Sequence, residues 1–148
     1  LQAGTIGVMA TDHAPHLLSE KSKPYPYSPS GMPGVETSLP MMLTAMQEGK
    51  CDLAQIQKWM CSGPAALYGI PNKGVIREGF DADLTLVNLD ASKVVSDEEV
   101  FSKVKWSPFS GRALTGWPIY TIVGGNIVFD NGIVRDNVYG KALTYASQ

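Results

Sequence analysis

Histidine and cysteine are scarce in this sequence, with two of each among 148 residues, and charged residues make up only 18%. The formal net charge is −2, and Lys and Arg residues are not clustered. That balance argues against nucleic acid or an anionic membrane surface as a partner. No apolar run approaches the roughly 18 residues that a membrane span requires. We therefore expect a soluble protein of the cytoplasm.

The two cysteines, Cys51 and Cys61, lack Cys-x-x-Cys spacing. They predict reduced, buried thiols on helices in preference to a metal site or a disulfide. What the sequence has in quantity is apolar side chains, at 44% of all residues, which is a core-forming composition. A length of 148 residues is that of one ordinary domain.

The most informative stretch is residues 10–16, Ala-Thr-Asp-His-Ala-Pro-His, which follows the mainly apolar residues 5–9. Such a short run, β-branched at its start, is typical of a buried strand, and Pro15 cannot continue a ladder. Asp12 is therefore predicted to lie where a strand ends. Barrel and open-sheet α/β enzymes place catalytic groups at the carboxyl ends of parallel strands. An isolated Asp-His pair is more often a solvated turn, and that alternative stays open.

Residues 11–16 resemble the signature at the end of the last barrel strand in dihydroorotases, the metal-dependent cyclic amidohydrolases of pyrimidine biosynthesis. Residues 31–37, Gly-Met-Pro-Gly-Val-Glu-Thr, resemble a second segment of that family. Residues 79–84 are similar to a step in the superfamily's outer β-domain, and residues 106–111, Trp-Ser-Pro-Phe-Ser-Gly, resemble another dihydroorotase segment. Related hydantoinases and allantoinases usually lack a histidine at the place of His16, so the stretch favours dihydroorotase.

The resemblance implies an α/β fold: the C-terminal part of a (β/α) TIM-type barrel, with its last strand and closing helices, followed by a small mostly-β domain. Residues 1–71 would hold the strand, the active-site loop and the helices. Residues 72–148 would form the outer β-domain and a C-terminal tail. A complete barrel typically needs about 250 residues, and residues 1–4 include no Met. We therefore expect this chain to be part of a longer protein.

Turn and capping residues predict the individual elements. A helix is expected from Ser38 as N-cap to Gly49 as terminator, and another after a capping box of Asp52 and Gln55. The prolines of residues 17–30 exclude a helix there and predict a long loop that could act as a lid. The remaining predictions are short helices at residues 64–68 and 97–104 and strands at residues 74–76, 82–89, 120–123, 127–129 and 133–135.

The resemblance also implies roles for individual residues. Asp12 would contact the metal and move the proton between the attacking hydroxide and the amide nitrogen. His16 would bind the carboxylate of the substrate, and the backbone of Pro33 and Gly34 would contact its ring. The implied cofactor is zinc, binuclear in the full-length enzyme, and zinc lowers the pKa of bound water to about 7. The role of His13 stays open between orienting Asp12 and packing.

The implied function is that of a dihydroorotase, which interconverts N-carbamoyl-L-aspartate and dihydroorotate. The implied partners are this small-molecule substrate and further copies of the same protein in a homo-oligomer. A catalytic zinc normally takes three protein ligands, whereas both histidines of this chain lie in one loop. We therefore expect ligands outside this chain and no activity of the chain alone. The alternatives are another cyclic amidohydrolase, a hydantoinase or allantoinase, or a non-catalytic dihydroorotase-like scaffold for aspartate carbamoyltransferase.

Overall fold

The computed structural model describes residues 1–145, so residues 146–148 of the predicted C-terminal tail lie outside the described residues. Helices come first and a sheet follows, as expected. The helices are α1 (Leu18–Lys21), α2 (Ser38–Gln47), α3 (Leu53–Gln57) and α4 (Gly63–Leu67), and a π-helical turn (Lys58–Ser62) joins α3 to α4. The strands are β1 (Leu84–Val94), β2 (Ala113–Val123), β3 (Asn126–Asp130) and β4 (Ile133–Val134), with a 3₁₀ turn at Asp97–Glu99.

The four strands form one antiparallel sheet in chain order, β1-β2-β3-β4. Two-residue turns join β2 to β3 and β3 to β4. Both residues of each turn have positive φ, at 54° and 81° for Gly124 and Gly125 and at 45° and 91° for Asn131 and Gly132. Such turns match the twist of the strands and favour Gly and Asn. The tight hairpin predicted from Asn131-Gly132 is confirmed.

Strand β2 begins at Ala113, seven residues before the strand predicted at residues 120–123. The prediction was too short because Gly116 and Pro118 are unfavourable in a strand interior. Proline cannot donate to a ladder and usually marks an edge or a bulge. Here Pro118 lies opposite Val87, where the β1–β2 register shifts. The irregularity accommodates the proline, and the strand continues on both sides of it.

The core forms where α2 packs against β2. Leu43 of α2 and Leu114 of β2 are only 1% and 0% exposed. Gly116 has φ +94°, and a Cβ atom there would lie 2.5 Å from the Cβ of Leu43. Thr44 Oγ1 also accepts from the Thr115 amide at 2.8 Å and donates to its carbonyl at 3.1 Å. A glycine is therefore needed at position 116 for the helix to reach the sheet.

The capping predictions are largely confirmed. The Asp52 carboxylate accepts from the Gln55 amide at 2.7 Å, and Gln55 returns the bond to the Asp52 amide at 2.9 Å. Helix α2 ends before Gly49, which has φ +73°. Ser38 is the first helical residue and not the N-cap, a position that Thr37 occupies.

Three local predictions were wrong. The helix expected at residues 97–104 is only the 3₁₀ turn, because the chain becomes extended at Val100. Residues 74–76 form no strand, and Ile76 is 90% exposed. Cys61 is exposed, and Cys51 is half-buried in a loop, so neither is the buried helical thiol that we expected.

Residues 5–9 are not a strand either. A ladder requires a neighbouring strand, and the sheet of the described residues begins at residue 84. Among residues 1–145, the nearest β-bridge to this run is an isolated parallel one between His13 and Met32. The predicted last barrel strand is therefore present only as extended and irregular chain that lacks a partner within residues 1–145.

Two carboxylates just before the sheet, Asp81 and Asp83, form ion pairs with Lys73. Lys73 Nζ lies 2.9 Å from Asp81 Oδ2 and also contacts Asp83. Its hydrogen bond, with a further bond from the Gly124 amide, holds the pKa of Asp83 below its usual value, and Asp83 and Asp81 together raise the pKa of Lys73.

Among the described residues, no helix is both long and apolar enough to span a membrane. The division of the chain at residue 72 stays a prediction.

Candidate active site

The chain that leads to Asp12 is held by the π-helical turn. The turn pairs the Gly63 amide with the Lys58 carbonyl, five residues back. The next amide in that pattern would belong to Pro64, which has no N–H. The Trp59 carbonyl is thus left without a helical donor, and it accepts from the Met9 amide at 3.0 Å. A π-turn beside a site segment agrees with the frequent occurrence of such turns at functional sites.

Asp12 adopts a backbone conformation that most residues avoid. Its φ is +43°, in the left-handed region, and it is exposed. Aspartate tolerates that region better than most non-glycine residues, yet it still costs free energy. Such outliers cluster at active sites and ligand clamps. The strained turn and the exposed carboxylate make Asp12 a candidate catalytic residue.

His13 joins the Asp12 stretch to the second motif. Its Nδ1 atom accepts from the amides of Gly34 and Val35 at 3.1 and 3.3 Å. A ring nitrogen that accepts carries no proton, so the neutral ring bears its hydrogen on Nε2. The Nδ1 lone pair is therefore engaged by backbone and is not free to bind a metal. His13 holds the Gly34 loop, a role that sequence reasoning had not resolved.

Glycines let the two motifs lie side by side. A Cβ atom on Gly31 would lie 2.7 Å from the Ala14 carbonyl oxygen, and one on Gly34 would lie 3.2 Å from the Thr11 carbonyl oxygen. The Ala14 amide also donates to the Met32 carbonyl at 3.2 Å. Residues 11–16 and 31–35 thus form one surface. These two stretches contain all the predicted site residues: Asp12 is exposed, His16 is partly exposed, and Pro33 and Gly34 are buried.

His16 is fixed mainly through its backbone. Its carbonyl accepts from the Trp106 indole N–H at 2.8 Å, across 90 residues of sequence. The amide of the next residue, Leu17, donates to Glu20 at 2.8 Å, which caps α1. The same Glu20 carboxylate lies 4.0 Å from His16 Nδ1, and the side chain of His16 is partly exposed. His16 is therefore anchored on both sides while its ring stays accessible.

The long loop after His16 contains one helical turn, α1, although we expected its prolines to exclude a helix. All of those prolines follow α1, so they leave its four residues unaffected. Lys21 Nζ donates to the carbonyls of Pro29 and Gly31 at 2.7 and 3.1 Å, and Ser28 Oγ donates to the Lys21 carbonyl at 2.9 Å. Lys21 thus closes the base of the loop. Its function as a lid stays a prediction.

Sequence reasoning missed the residues that tie the site to the second half of the chain. The Glu36 carboxylate accepts from the amides of Phe101 and Ser102, both at 2.9 Å. These bonds take the amides that a longer helix after residue 99 would have used. Glu36 and Trp106 belong to motifs noted in the sequence, but a partner 65 or 90 residues away leaves no signal in a single sequence.

The described residues do not form a metal site by themselves. Within residues 1–145, no group of three or more His, Cys, Asp or Glu side chains could hold a metal ion. Asp12 is one exposed carboxylate, and His13 Nδ1 is engaged by two amides. A catalytic zinc normally needs three protein ligands. The donor set of the described residues therefore does not fit a complete catalytic metal centre.

The family model that matches this chain is that of the amidohydrolase family, over residues 1–128. Among curated relatives, the dihydroorotase of Methanosphaera stadtmanae is 40% identical over 128 residues, which is 86% of this chain and 30% of that protein. The dihydroorotase of Acetivibrio thermocellus is 43% identical over 129 residues, again 86% and 30%. This chain therefore spans about 30% of the length of these relatives.

Solved structures agree on the fold. The L-hydantoinase (dihydropyrimidinase) from Arthrobacter aurescens matches with a TM-score of 0.90 and 37% identity, over 96% of this chain and 33% of that one. A D-hydantoinase matches with a TM-score of 0.81 and 27% identity, over 86% and 29%. The fold class expected from the sequence, the C-terminal part of a TIM-type barrel followed by a small β-unit, is confirmed.

Proposed function

Because this chain belongs to the amidohydrolase family, we propose that it is the C-terminal part of a dihydroorotase, which interconverts N-carbamoyl-L-aspartate and dihydroorotate. The observation that carries the proposal is the pairing of residues 11–16 with residues 31–35, since it brings an exposed carboxylate, Asp12, and a partly exposed imidazole, His16, onto the same pair of segments as the buried Pro33-Gly34 backbone. The similarity to several curated dihydroorotases supports it. Below, the parent protein means the longer protein that would contain this chain.

Asp12 is the proton-transfer residue of this proposal. In the hydrolytic direction it accepts a proton from the water that attacks the ring carbonyl, and it then donates that proton to the ring nitrogen as the C–N bond breaks. A carboxylate in this role typically contributes about 10²–10⁴-fold to the rate. The exposed position of Asp12 and its left-handed backbone support the assignment.

The amidohydrolase family is generally metal-dependent. We propose zinc as the metal, binuclear in the parent protein, with Asp12 as one ligand and the remaining ligands outside this chain. The second part of that statement is supported by residues 1–145, which contain no group of three or more His, Cys, Asp or Glu side chains that could hold a metal ion. It also leads us to expect that the chain alone binds zinc poorly and has no activity.

His16 and the Pro33 backbone are the proposed substrate contacts. The His16 ring donates to the substrate's carboxylate, with one hydrogen bond when neutral and two when protonated. The Gly34 amide donates to His13 and its carbonyl accepts from the Thr37 amide. We therefore assign the contact with a ring N–H to the Pro33 carbonyl, although Pro33 is buried within residues 1–145.

One observation favours a second candidate, another cyclic amidohydrolase such as a hydantoinase. The L-hydantoinase from Arthrobacter aurescens shares 37% identity with this chain over 96% of the length of this chain. Such an enzyme would act on rings that lack the carboxylate. Homo-oligomerisation, a location in the cytoplasm and a complex with aspartate carbamoyltransferase remain proposals that rest on the resemblance alone.

His16→Ala in the parent protein tests the substrate class. Loss of a hydrogen bond to a charged group costs roughly 1.5–3 kcal/mol, which is about 10–150-fold in kcat/KM. We expect that loss for dihydroorotate and little change for dihydrouracil, which lacks the carboxylate. An equal fall for both substrates would reject His16 as the carboxylate ligand. A parent protein that prefers dihydrouracil from the outset would favour the hydantoinase alternative.

A further inference from the structure

Trp106 contacts the proposed substrate site at His16, from which it is separated by 90 residues of sequence. Its indole N–H donates to the His16 carbonyl at 2.8 Å. Trp106 also lines a small cavity together with Pro33 and Gly34. Trp106 is only 9% exposed. Trp106 therefore contacts the histidine stretch directly and borders the same small cavity as the ring-binding loop.

The segment that presents Trp106 is itself braced. The Ser107 amide donates to Asp97 Oδ1 at 2.8 Å, and Lys105 Nζ donates to the Val100 carbonyl at 2.6 Å. The Glu36 carboxylate accepts from the amides of residues 101 and 102. The segment that carries the indole is thus held by two bonds within residues 97–107 and by Glu36 from outside that segment. A rigid neighbour of this kind can fix the geometry of a site.

We propose that Trp106 is a positioning residue that sets the affinity of the site for a carboxylated ring, and that it acts through His16. The proposal rests on the assignment of His16 to the substrate's carboxylate. The indole bond fixes the carbonyl of His16, and the Glu20 bond fixes the next amide, at Leu17. The His16 ring therefore starts from a backbone that is held at both ends. Without the indole bond, one of these two restraints is lost.

A matched control exists in the same chain. The indole N–H of Trp117, in β2, donates to the Leu114 carbonyl at 3.0 Å. Trp106→Phe and Trp117→Phe therefore remove the same kind of bond, an indole N–H to a backbone carbonyl, from different places. Only the first of these bonds reaches the proposed site. A general loss of stability should accompany both variants, whereas a change in substrate affinity should accompany only Trp106→Phe.

In the parent protein, we expect Trp106→Phe to raise KM for dihydroorotate about 3–10-fold, the effect of one lost hydrogen bond. KM for dihydrouracil and kcat should change less than about 2-fold, and Trp117→Phe should change neither constant. A benzothienylalanine at position 106 keeps the bicyclic ring and replaces N–H by sulfur, and it should reproduce the effect. Equal changes for both substrates, or the same change in Trp117→Phe, would overturn the proposal.

Hydrogen exchange separates this proposal from the proposed function, because it needs no substrate. Trp106→Phe should speed amide exchange in residues 14–22, and Trp117→Phe should leave that segment unchanged. If the parent protein does not act on dihydroorotate, the proposed function fails whatever the exchange shows. If it does act on dihydroorotate and residues 14–22 exchange equally in all variants, the positioning role of Trp106 is wrong while the function stands.

Discussion

The sheet of residues 84–134 and the segment that carries the candidate site, residues 7–36, are held in different ways. Adjacent strands of the sheet share backbone ladders that are interrupted only at a few register shifts, and two-residue turns join β2 to β3 and β3 to β4. The site segment has one four-residue helix and one isolated bridge. Its position is set by individual bonds from Trp59, Trp106 and Glu36.

This difference predicts which substitutions should lower the free energy of unfolding and which should change the geometry of the site. A ladder distributes its stabilisation over many bonds, so damage to the sheet or its core should appear as a loss of folding free energy. A segment fixed by single bonds can lose its geometry while the fold survives. Substitutions in residues 7–36 should therefore change catalysis more than stability, and substitutions at the α2–β2 core should do the reverse.

Asp12→Asn should give the largest effect and the clearest case of lost activity with retained stability. Asparagine matches aspartate in shape and also tolerates a left-handed backbone, but it cannot accept the proton. We expect kcat of the parent protein to fall about 10²–10⁴-fold in both directions. Thermal unfolding should show a nearly unchanged Tm. Near-normal turnover would remove Asp12 from its proposed role.

Gly116→Ala should give the opposite result, lost stability at an intact site. The new Cβ would meet Leu43, and the residue would keep a positive φ. Strain and overpacking together should lower the free energy of unfolding by about 2–4 kcal/mol. Gly111→Ala is the control, since Gly111 has φ +83° but nothing within 4 Å of an added Cβ. It should cost only about 1 kcal/mol, and equal costs in denaturant titrations would refute the packing argument.

His13 offers a smaller test at the site. His13→Leu leaves the amides of Gly34 and Val35 without their acceptor. We expect a roughly 5–30-fold loss in kcat/KM for dihydroorotate, from about 1–2 kcal/mol of lost hydrogen bonding. His13→Asn should retain most of the activity, because its Oδ1 atom can replace Nδ1 as an acceptor. Equal impairment of the two variants would mean that the ring, and not its acceptor atom, matters.

Helix caps, helix ends and tight turns were predictable because each depends on residues that are close together in sequence. The Asp52-Gln55 capping box, the stop at Gly49 and the Asn131-Gly132 turn each depend on residues a few positions apart, and each is confirmed. The strand at residues 5–9 was not found, since a strand needs a partner that the described residues do not supply. The first half of β2 was not predicted because Pro118 argues against a strand there. In the structure, a register shift opposite Pro118 accommodates the proline within the strand.

In the candidate site, too, residues within short motifs could be predicted, whereas long-range contacts could not. Asp12, His16, Pro33 and Gly34 could be named from two short motifs, although their roles remain proposals. Trp106 and Glu36 contact the site only after the chain has folded back across 65 to 90 residues. A single sequence shows no sign of such long-range pairs. Their motifs could be noted, but their partners could not be predicted.

Turnover of dihydroorotate by residues 1–148, with and without the rest of the parent protein, tests the account most directly. With zinc present, we expect the parent protein to act in both directions and the isolated chain to show neither tight zinc binding nor turnover. Addition of the remaining part of the parent protein should restore some activity. Stoichiometric zinc on the isolated chain in calorimetry, together with dihydroorotate hydrolysis, would contradict the account.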